Sequence, residues 1–318
     1  GRCLRTLPPS RDPMDIGAEV SNLVEQIPPG RVSTFADLAE GLGDPRAATA
    51  VFRILRESPA VASHRVVRAS GEPWAPGATM RLRREGVRVA GGRVDGLDHL
   101  RWRKFQGPQT LARLRGEQRR LAADVETSDR FPEIRRVAGF DVSYDRDTAF
   151  ASAVVMDASG DGVLQEVSLE TRVDFPYIPG YLANREFPAI EACFRRLNPA
   201  PDLLMIDGHG ILHPARFGIA SYAGVRLDRP SIGVAKSLLV GAPGPIPRDP
   251  GGSTEVRLEG EVLGAGLRSG HSRRMVYVST GNRVSLETAV RITKRLCKSR
   301  IPEPLRRADL ASRKMKRK

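Results

Sequence analysis

Short apolar runs that end in an acidic residue constrain this chain most. The runs at 136–141 and 203–207 end in Asp141 and Asp207, and similar runs lie at 150–156, 163–171, 231–235, 261–267 and 275–279. Helix-like stretches separate them at 183–197 and 286–298. Strands that come first and then alternate with helices are typical of one mixed sheet with helices on its faces. The sequence therefore predicts an α/β domain in this part of the chain.

The acidic residues at the ends of these apolar runs indicate a site for a divalent metal ion. A carboxylate that leaves a buried strand beside glycine has nothing apolar to pack against, and Mg²⁺ takes oxygen ligands of this type. Glu186 opens a helix-like stretch and would be a third acid, while Lys236 follows another apolar run. Two ions clamped by acids can activate water and neutralise a leaving oxygen, and a lysine can stabilise transition-state charge. Taken singly, however, each acid could be a turn or a cap, and Lys236 an ordinary surface lysine.

The excess of positive charge indicates what kind of molecule the protein binds. The 318 residues include 51 Lys and Arg against 37 Asp and Glu, a net charge of +14. This surplus favours a polyanion such as nucleic acid, since each neutralised phosphate releases counterions. Simple solubility or a lipid surface are the alternatives, although no amphipathic anchor helix accompanies the charge. The chain length favours two domains.

Cysteine usage and the terminal segments bear on the compartment. Cys3, Cys193 and Cys297 are odd in number and far apart, which favours neither a disulfide framework nor a zinc site and predicts a reducing compartment. No apolar run approaches the length of a membrane span, and residues 1–13 contain no hydrophobic segment typical of a secretory signal. We therefore expect a cytoplasmic protein, nucleoid-associated if prokaryotic. Residues 1–13 and the basic segment 312–318 are expected to be disordered.

The amino-terminal part is predicted to be helical. An amphipathic helix at 16–27 is stopped by two prolines and a glycine, and Thr34 can cap a short helix that ends near residue 39. Asp44 can cap a further helix at 45–57. The last two helices, joined by a short glycine-containing turn, make a helix-turn-helix candidate. Helix pairs are common, so this pattern alone is a weak indication of DNA binding.

Longer strings in the second part carry a resemblance to a known family. FPYIPG followed by RE, IDGHG followed by HPARFGIAS, then IGVAKS and RIPEPLRRAD occur in the order and spacing of endonuclease V, over about 104–310. The resemblance implies a ribonuclease-H-like fold and recognition of deaminated adenine in DNA. It also implies nicking at the second phosphodiester 3′ to the lesion, with 3′-hydroxyl and 5′-phosphate ends. Mg²⁺ is the implied cofactor, and Mn²⁺ is expected to substitute.

The resemblance also implies roles for individual residues. Asp141, Glu186 and Asp207 match the metal-site acids, and Lys236 matches the active-site lysine. Three residues match the family's wedge, the segment inserted into DNA where the damaged base leaves the stack: Tyr177, Ile178 and Pro179. The base pocket matches Gly180, Leu182, Gly208, His213, Gly218 and Ile219. Rings and stiff loops suit unstacked bases, and glycine permits close backbone contact with a flipped base. Taken alone, His213 would more often be a structural histidine.

One position departs from this pattern. Near the last helix the family usually has Gly-His, whereas this chain has Asn282 at the histidine position. An amide oxygen can still bind Mg²⁺ but carries no charge and cannot shuttle a proton. We therefore expect Asn282 to be a metal ligand that gives weaker binding or a changed metal preference, with activity retained.

The first part resembles the DNA-binding domain of O⁶-alkylguanine-DNA alkyltransferases and their alkyltransferase-like relatives. The strings IPPGRVSTFADLAEGLG, SHRVVRASGEPW and LRREGV carry this resemblance, over about 14–102. The alkyl-accepting cysteine is replaced by Ser63, so no alkyltransferase activity is expected, because a hydroxyl is far less nucleophilic than a thiolate. The other matching pocket positions are Phe35, Thr49, His64, Arg65, Trp74 and Glu85, of which Phe35 and Thr49 depart from the family, as does Phe52. Such a domain could sense bulky bases near Trp74 or be a structural remnant.

These patterns predict an alkyltransferase-like, helix-turn-helix domain at 14–103 and an endonuclease V domain at 104–311. The expected activity is a metal-assisted repair endonuclease that nicks deoxyinosine-containing DNA, acting as a monomer. Other damaged or mismatched DNA, and RNA, are further candidate partners. The alternatives are an inosine-specific endoribonuclease and a non-catalytic sensor of alkylated or deaminated DNA.

Overall fold

A computed structural model describes residues 15–270 and 274–317 of the chain. These residues form two compact units. The N-terminal unit comprises residues 15–116 together with Asp174–Pro179, and the C-terminal unit comprises 117–173 and 180–317. Assignment of 14–103 and 104–311 as domains stays a prediction, and residues 1–13 lie outside the described part.

The N-terminal unit is mainly helical. Thr34 begins its second helix through a capping box, because its hydroxyl accepts from the Asp37 N–H at 3.2 Å while the Asp37 carboxylate accepts from the Thr34 N–H at 2.8 Å. The Asp44 carboxylate accepts from the Arg46 N–H at 3.0 Å, although the helix predicted from there begins as a 3₁₀ turn over Pro45–Ala47. The elements are α1 (Ile16–Glu25), β1 (Ser33–Thr34), α2 (Phe35–Gly41), α3 (Ala48–Glu57), β2 (Val66–Val67), α4 (Ala78–Arg84), β3 (Val89–Ala90), β4 (Arg93–Val94) and α5 (Leu97–Leu100).

The C-terminal unit contains the mixed sheet. The division between the units falls within α6 (Thr110–Ala122). The strands are β5 (Arg136–Asp145), β6 (Thr148–Asp157), β7 (Val163–Arg172), β8 (Leu203–Asp207), β9 (Ser231–Ala235), β10 (Ala242–Pro243), β11 (Ser253–Leu258), β12 (Glu261–Leu267) and β13 (Val276–Asn282). The helices are α7 (Leu182–Phe194), α8 (Ile219–Arg226), α9 (Leu286–Leu296) and α10 (Glu303–Lys316). Strand order within the described residues is β10-β11-β12-β13-β9-β8-β5-β6-β7, with β8 parallel to both β5 and β9, which confirms the predicted α/β fold class.

Helices cover both faces of the central strands. Successive side chains of a strand point to opposite faces, so a strand buried on both sides needs an apolar run rather than alternation. Phe140 and Ile206 pack in a cluster with residues of α7 and α8. Val137, three positions before Phe140, and Met205, one position before Ile206, point to the opposite face and pack in a second cluster with residues of α9 and with Leu305 of α10. This packing on both faces, together with the register of β5 and β8, places the carboxyl-terminal ends of the two strands side by side.

The last helix corrects one expectation. Residues 312–318 were expected to be disordered, but α10 runs to Lys316 and Ser312 is fully buried within it. The beginning of α10 lies directly on β5, where a Cβ on Gly139 would fall 2.3 Å from the Pro304 carbonyl carbon. Only glycine leaves room for this approach. Among the described residues, no helix has both the length and the apolar character needed to cross a membrane.

Candidate active site

Three of the predicted acids lie around one cavity. Parallel pairing sets Phe140 of β5 beside Ile206 of β8, so Asp141 and Asp207 follow on neighbouring strands at the same sheet edge. Glu186 reaches the cavity from the first half of α7. The cavity measures about 190 Å³, and its remaining lining is Phe140, Val142, Leu182, Ile190 and Ile206. The structure thus brings together Asp141, Glu186 and Asp207, with Leu182 beside them.

Lys236 also reaches this edge. It follows the last residue of β9, whose parallel pairing with β8 brings the two strand ends together. Its Nζ lies 2.5 Å from the Asp207 Oδ2 and 3.4 Å from the Asp309 Oδ1. The Lys236 ammonium is therefore held against the acidic cavity, and its catalytic role stays a prediction.

Two contacts from α10 were not predicted. Ser312 donates its hydroxyl to the Asp141 Oδ2 at 2.7 Å, and Asp309 pairs with Lys236. Residues three apart share one face of a helix, so a single helix face supports both sides of the cavity. The signal was present in RIPEPLRRAD, which ends on Asp309, but the basic residues that follow indicated a mobile tail instead.

Two carboxyl groups of the cavity, Asp141 and Glu186, have raised pKa values. Burial, and to a lesser extent the nearby Asp207 charge, raises the pKa of Asp141 to about 6, although the Ser312 hydrogen bond acts in the opposite direction. Burial and the charges of Asp141 and Asp207 raise the pKa of Glu186 to about 8. Burial favours a lower pKa for Lys236, but the Asp207 carboxylate outweighs it and the pKa is raised. Carboxylates in this state gain stability when a further cation neutralises them.

The donor set suits a hard divalent ion. All three acids offer carboxylate oxygen, which is the ligand type of Mg²⁺ and Mn²⁺. In the described part of the chain, no group of three or more His, Cys, Asp or Glu side chains is arranged so that it could hold a metal ion as it stands. In donor chemistry and in the raised pKa values of Asp141 and Glu186, the cavity fits such an ion.

Asn282 lies elsewhere. It pairs with Ser231 at the beginning of β9, whereas Asp207 pairs with Val234 near the end of that strand. Its amide oxygen accepts from the Glu126 N–H at 3.1 Å, and its side chain is buried. Asn282 therefore lies at the opposite end of the strands from Asp207, which corrects the expectation that Asn282 contributes a metal ligand.

The residues predicted for the base pocket lie mostly around the β8–α8 loop. A Cβ on Gly208 would fall 2.5 Å from the Ile219 Cγ2, and one on Gly218 would fall 2.3 Å from the His209 carbonyl oxygen. His213 is buried in the same loop, where its Nδ1 accepts from the Ala215 N–H at 3.1 Å. The structure brings Gly208, Gly218 and Ile219 together, and it gives His213 a structural hydrogen bond.

The predicted wedge has one buried member. Tyr177 has 54% of its surface exposed and Pro179 is exposed, whereas Ile178 is 1% exposed. Of the three residues predicted to form the wedge, only Tyr177 and Pro179 are therefore exposed enough to contact a base, and Ile178 is not. Gly180, which follows the wedge, has a φ of 86° and accepts through its carbonyl from the Gln118 side chain at 2.9 Å.

The alkyltransferase-type positions of the N-terminal unit are built around Glu85. His64 Nε2 lies 2.9 Å and Arg65 Nη2 lies 2.7 Å from the Glu85 Oε1. The Arg65 guanidinium, followed by the His64 hydrogen bond, lowers the pKa of Glu85 to about 2 against the opposing effect of burial. Ser63 is buried, and its hydroxyl has no hydrogen-bond partner among the described residues.

Comparison with known proteins assigns the family. Residues 119–310 match the profile of endonuclease V, and residues 15–87 match that of the 6-O-methylguanine DNA methyltransferase DNA-binding domain. The chain belongs to the endonuclease V family. It is 46% identical over 203 residues to the endonuclease V of Roseiflexus sp. (strain RS-1), which covers 64% of this chain and 91% of that protein.

Solved structures agree with this endonuclease V assignment. The catalytic domain of human endonuclease V matches with a TM-score of 0.63 and 37% identity, covering 67% of this chain and 98% of the human one. The endonuclease V of Ciona intestinalis, solved with a 24mer DNA containing an inosine followed by a ribo-adenosine, matches with a TM-score of 0.60 and 28% identity, covering 66% of this chain and 98% of that one. The endonuclease V fold and the attached alkyltransferase-like DNA-binding domain are thus confirmed. The protein is an endonuclease V-type DNA repair nuclease, and this family is metal-dependent.

We predict no alkyl transfer from methylated DNA to this endonuclease V. Ser63 stands at the acceptor position, and burial raises the pKa of Cys193 to about 12 and that of Cys297 to about 11, so neither thiol is activated. Incubation with radiolabelled O⁶-methylguanine DNA, followed by protein mass analysis, should show no transferred methyl group. A stoichiometric label on any cysteine would contradict the prediction.

Proposed function

We propose that this protein nicks DNA containing deoxyinosine at the second phosphodiester 3′ to the lesion, leaving 3′-hydroxyl and 5′-phosphate ends. The observation that carries the proposal is the cavity lined by Asp141, Glu186 and Asp207, with Lys236 at its edge. Family membership and the DNA bound to the Ciona relative support a DNA substrate.

The roles follow from the positions of the side chains. Asp141 and Asp207 would hold Mg²⁺, or Mn²⁺ in its place, and Glu186 would hold a second ion or orient the attacking water. Bound divalent ions supply Lewis-acid stabilisation and a more acidic water for hydrolysis of a phosphodiester. The Lys236 ammonium would pair with phosphate oxygen as negative charge develops. Ser312 and Asp309 would position Asp141 and Lys236 through the contacts they already make.

Recognition is proposed for the wedge and the glycine-rich loop. The exposed Tyr177 ring can stack where a base leaves the duplex, with Pro179 stiffening the chain beside it. Gly208 and Gly218 add no side chain of their own to this loop, whose backbone would read the edge of a flipped hypoxanthine. The charge of +14 would draw the phosphate backbone towards the protein.

An RNA-directed activity is the second candidate. The Ciona relative was solved with DNA in which inosine precedes a ribo-adenosine, so a ribonucleotide is accommodated in that protein after the lesion. A matched set of labelled strands carrying one deoxyinosine, one inosine followed by a ribonucleotide, or one riboinosine in RNA separates the candidates. We expect the deoxyinosine strand to be cut at the second phosphodiester 3′ to the lesion. Cleavage confined to the RNA strand would replace the DNA substrate by an RNA one.

A further inference from the structure

Three aromatic side chains meet on the surface of the N-terminal unit. Phe35 begins α2, Phe52 lies in the middle of α3, and Trp74 lies in the loop between β2 and α4. The ring centroids of Phe35 and Phe52 are 5.3 Å apart, those of Phe35 and Trp74 are 5.6 Å apart, and those of Phe52 and Trp74 are 5.7 Å apart. Each of the three residues is partly exposed. We call Phe35, Phe52 and Trp74 the aromatic cluster.

The geometry of the aromatic cluster excludes one mode of binding. The three pairs of rings make interplanar angles of 87°, 60° and 72°, so every ring meets its neighbours edge to face. A base held between two rings needs the rings to be roughly parallel and separated by the thickness of the base, as in offset stacking on both sides. Each ring instead contacts both others directly, with centroids 5.3 to 5.7 Å apart, so no two rings leave a slot for a base. A base can therefore stack only on the outer, exposed side of the aromatic cluster.

Positive charge surrounds this outer side. The guanidinium carbons of Arg56 and Arg68 each lie 5.8 Å from the centre of the Phe52 ring. Arg53 is exposed beside Phe52, and Arg56 shares a helix face with both because it lies three and four residues further along α3. The only acidic side chain that pairs with Arg56 among the described residues is the exposed Glu57, at 3.8 Å, and such a surface pair is weak.

Exposed rings interleaved with arginines are suited to one class of ligand. Proteins bind single strands by stacking successive bases on aromatic side chains while cations follow the phosphates. Stacking needs the π-face of an unpaired base, which a duplex hides inside its stack. Arginine adds cation–π and phosphate contacts at the same place.

We propose that the aromatic cluster is a stacking platform for an unpaired stretch of single-stranded DNA. The bases lie on Trp74 and Phe52, and Arg56 and Arg68 contact the flanking phosphates. The aromatic cluster shares no residue with the acidic cavity, and the proposal stands whether or not the proposed cleavage of deoxyinosine DNA is correct. It gives the N-terminal unit a role that needs neither an acceptor cysteine nor an open base pocket.

The intrinsic fluorescence of Trp74 provides a local readout. The chain has two tryptophans, Trp74 and Trp102, so the full-length Trp102→Phe protein reports on Trp74 alone. Titration with an oligothymidylate of about 16 nucleotides, which spans a typical single-strand site, is done in EDTA so that no strand is cut. Stacking should quench Trp74, and a duplex of the same length should quench it much less. Saturating strand without quenching, or equal quenching and affinity with the duplex, would overturn the proposal.

Substitutions at Phe52 separate stacking from simple packing. In the Trp102→Phe background, Phe52→Leu keeps an apolar side chain without a ring and should weaken the oligothymidylate affinity about tenfold, as expected for one lost base stack. Phe52→Tyr keeps the ring and should stay within about twofold of the parent protein. Thermal melting of both variants checks that the unit is folded. Unchanged affinity in Phe52→Leu would overturn the proposal.

Substitutions at two exposed arginines of the N-terminal unit distinguish a local contact with the strand from a general effect of positive charge on affinity. Arg56 lies against the Phe52 ring with a side chain 61% exposed, whereas Arg88 is 81% exposed and pairs with Asp95 at 3.4 Å. Arg56→Ala and Arg88→Ala remove the same charge. The proposal predicts a clearly larger loss of single-strand affinity for Arg56→Ala, and equal losses would contradict it.

Discussion

Asp141→Asn and Asp207→Asn are each expected to lower the single-turnover nicking rate on deoxyinosine DNA by on the order of 10³-fold, because each removes a charged oxygen donor from the proposed metal site. The fold should persist. Asparagine has nearly the volume of aspartate, so neither change opens a cavity, and loss of the Asp141 charge relieves its repulsion with Asp207. Nicking rates and melting temperatures measure these two effects, and duplex affinity in EDTA checks that each variant still binds DNA.

Asp161→Asn is the matched control for the aspartate substitutions. Asp161 is an exposed aspartate in the β6–β7 connection and pairs with Lys298 at 2.7 Å. The same chemical change there should leave the nicking rate within about twofold, as is usual for surface substitutions. Wild-type nicking by either Asp141→Asn or Asp207→Asn would remove that residue from the proposed metal site. Loss of folding in both would remove the basis for a purely catalytic effect.

Gly139→Ala should damage both stability and nicking through α10. A Cβ at this position would lie 2.3 Å from the Pro304 carbonyl carbon, so the helix must shift from β5. Overpacking of this kind costs about 1–3 kcal/mol, and a unit of this size should melt several degrees lower. The same shift would carry Ser312 from Asp141, and loss of such supporting contacts typically costs about 10–100-fold in metal affinity or activity.

Gly116→Ala is the control for added volume. No atom lies within 4 Å of a Cβ on Gly116, which sits within α6, so alanine should stabilise the helix by about 0.5–1 kcal/mol. Nicking should then be unchanged. Normal melting and nicking in Gly139→Ala would show that α10 does not depend on this contact.

The central strands could be predicted from the sequence because burial on both faces leaves a continuous apolar run. The strands β8 and β9 were predicted with the bounds they have, and the parallel ends of β5 and β8 carry Asp141 and Asp207 to one edge. Asp141 and Asp207 were singled out from the same pattern, because each ends an apolar run, whereas Glu186 opens a helix-like stretch; their role as site residues stays a prediction. The fold class and the resemblance to endonuclease V were confirmed by the comparisons.

Elements that bury only small or few side chains could not be predicted. The α10 sequence is rich in arginine and lysine, and its buried face contains small residues such as Ala308 and Ser312, which give little hydrophobic signal. The strand β11, next to the outermost strand β10, alternates exposed Glu255 and Arg257 with the buried Val256, so it lacks an apolar run. Such elements are fixed by tertiary contacts, which a local pattern does not contain.

Motif matching also placed Asn282 incorrectly because a motif gives order along the chain and not the direction of a strand. β13 runs antiparallel to β9, so its last residue lies at the edge where β9 begins. Only if β13 ran parallel to β9 would its last residue, Asn282, lie at the end of the sheet that carries the cavity. Strand direction therefore decided which predicted ligand reaches the site.

The most direct test is nicking of a labelled duplex with one deoxyinosine, beside an identical duplex with deoxyadenosine, each in Mg²⁺ and in EDTA. One cut at the second phosphodiester 3′ to the lesion, found only with deoxyinosine and Mg²⁺ and lost in Asp207→Asn, is the result that the proposed function predicts. Nicking that persists in EDTA or in Asp207→Asn, or equal nicking of both duplexes, would contradict it.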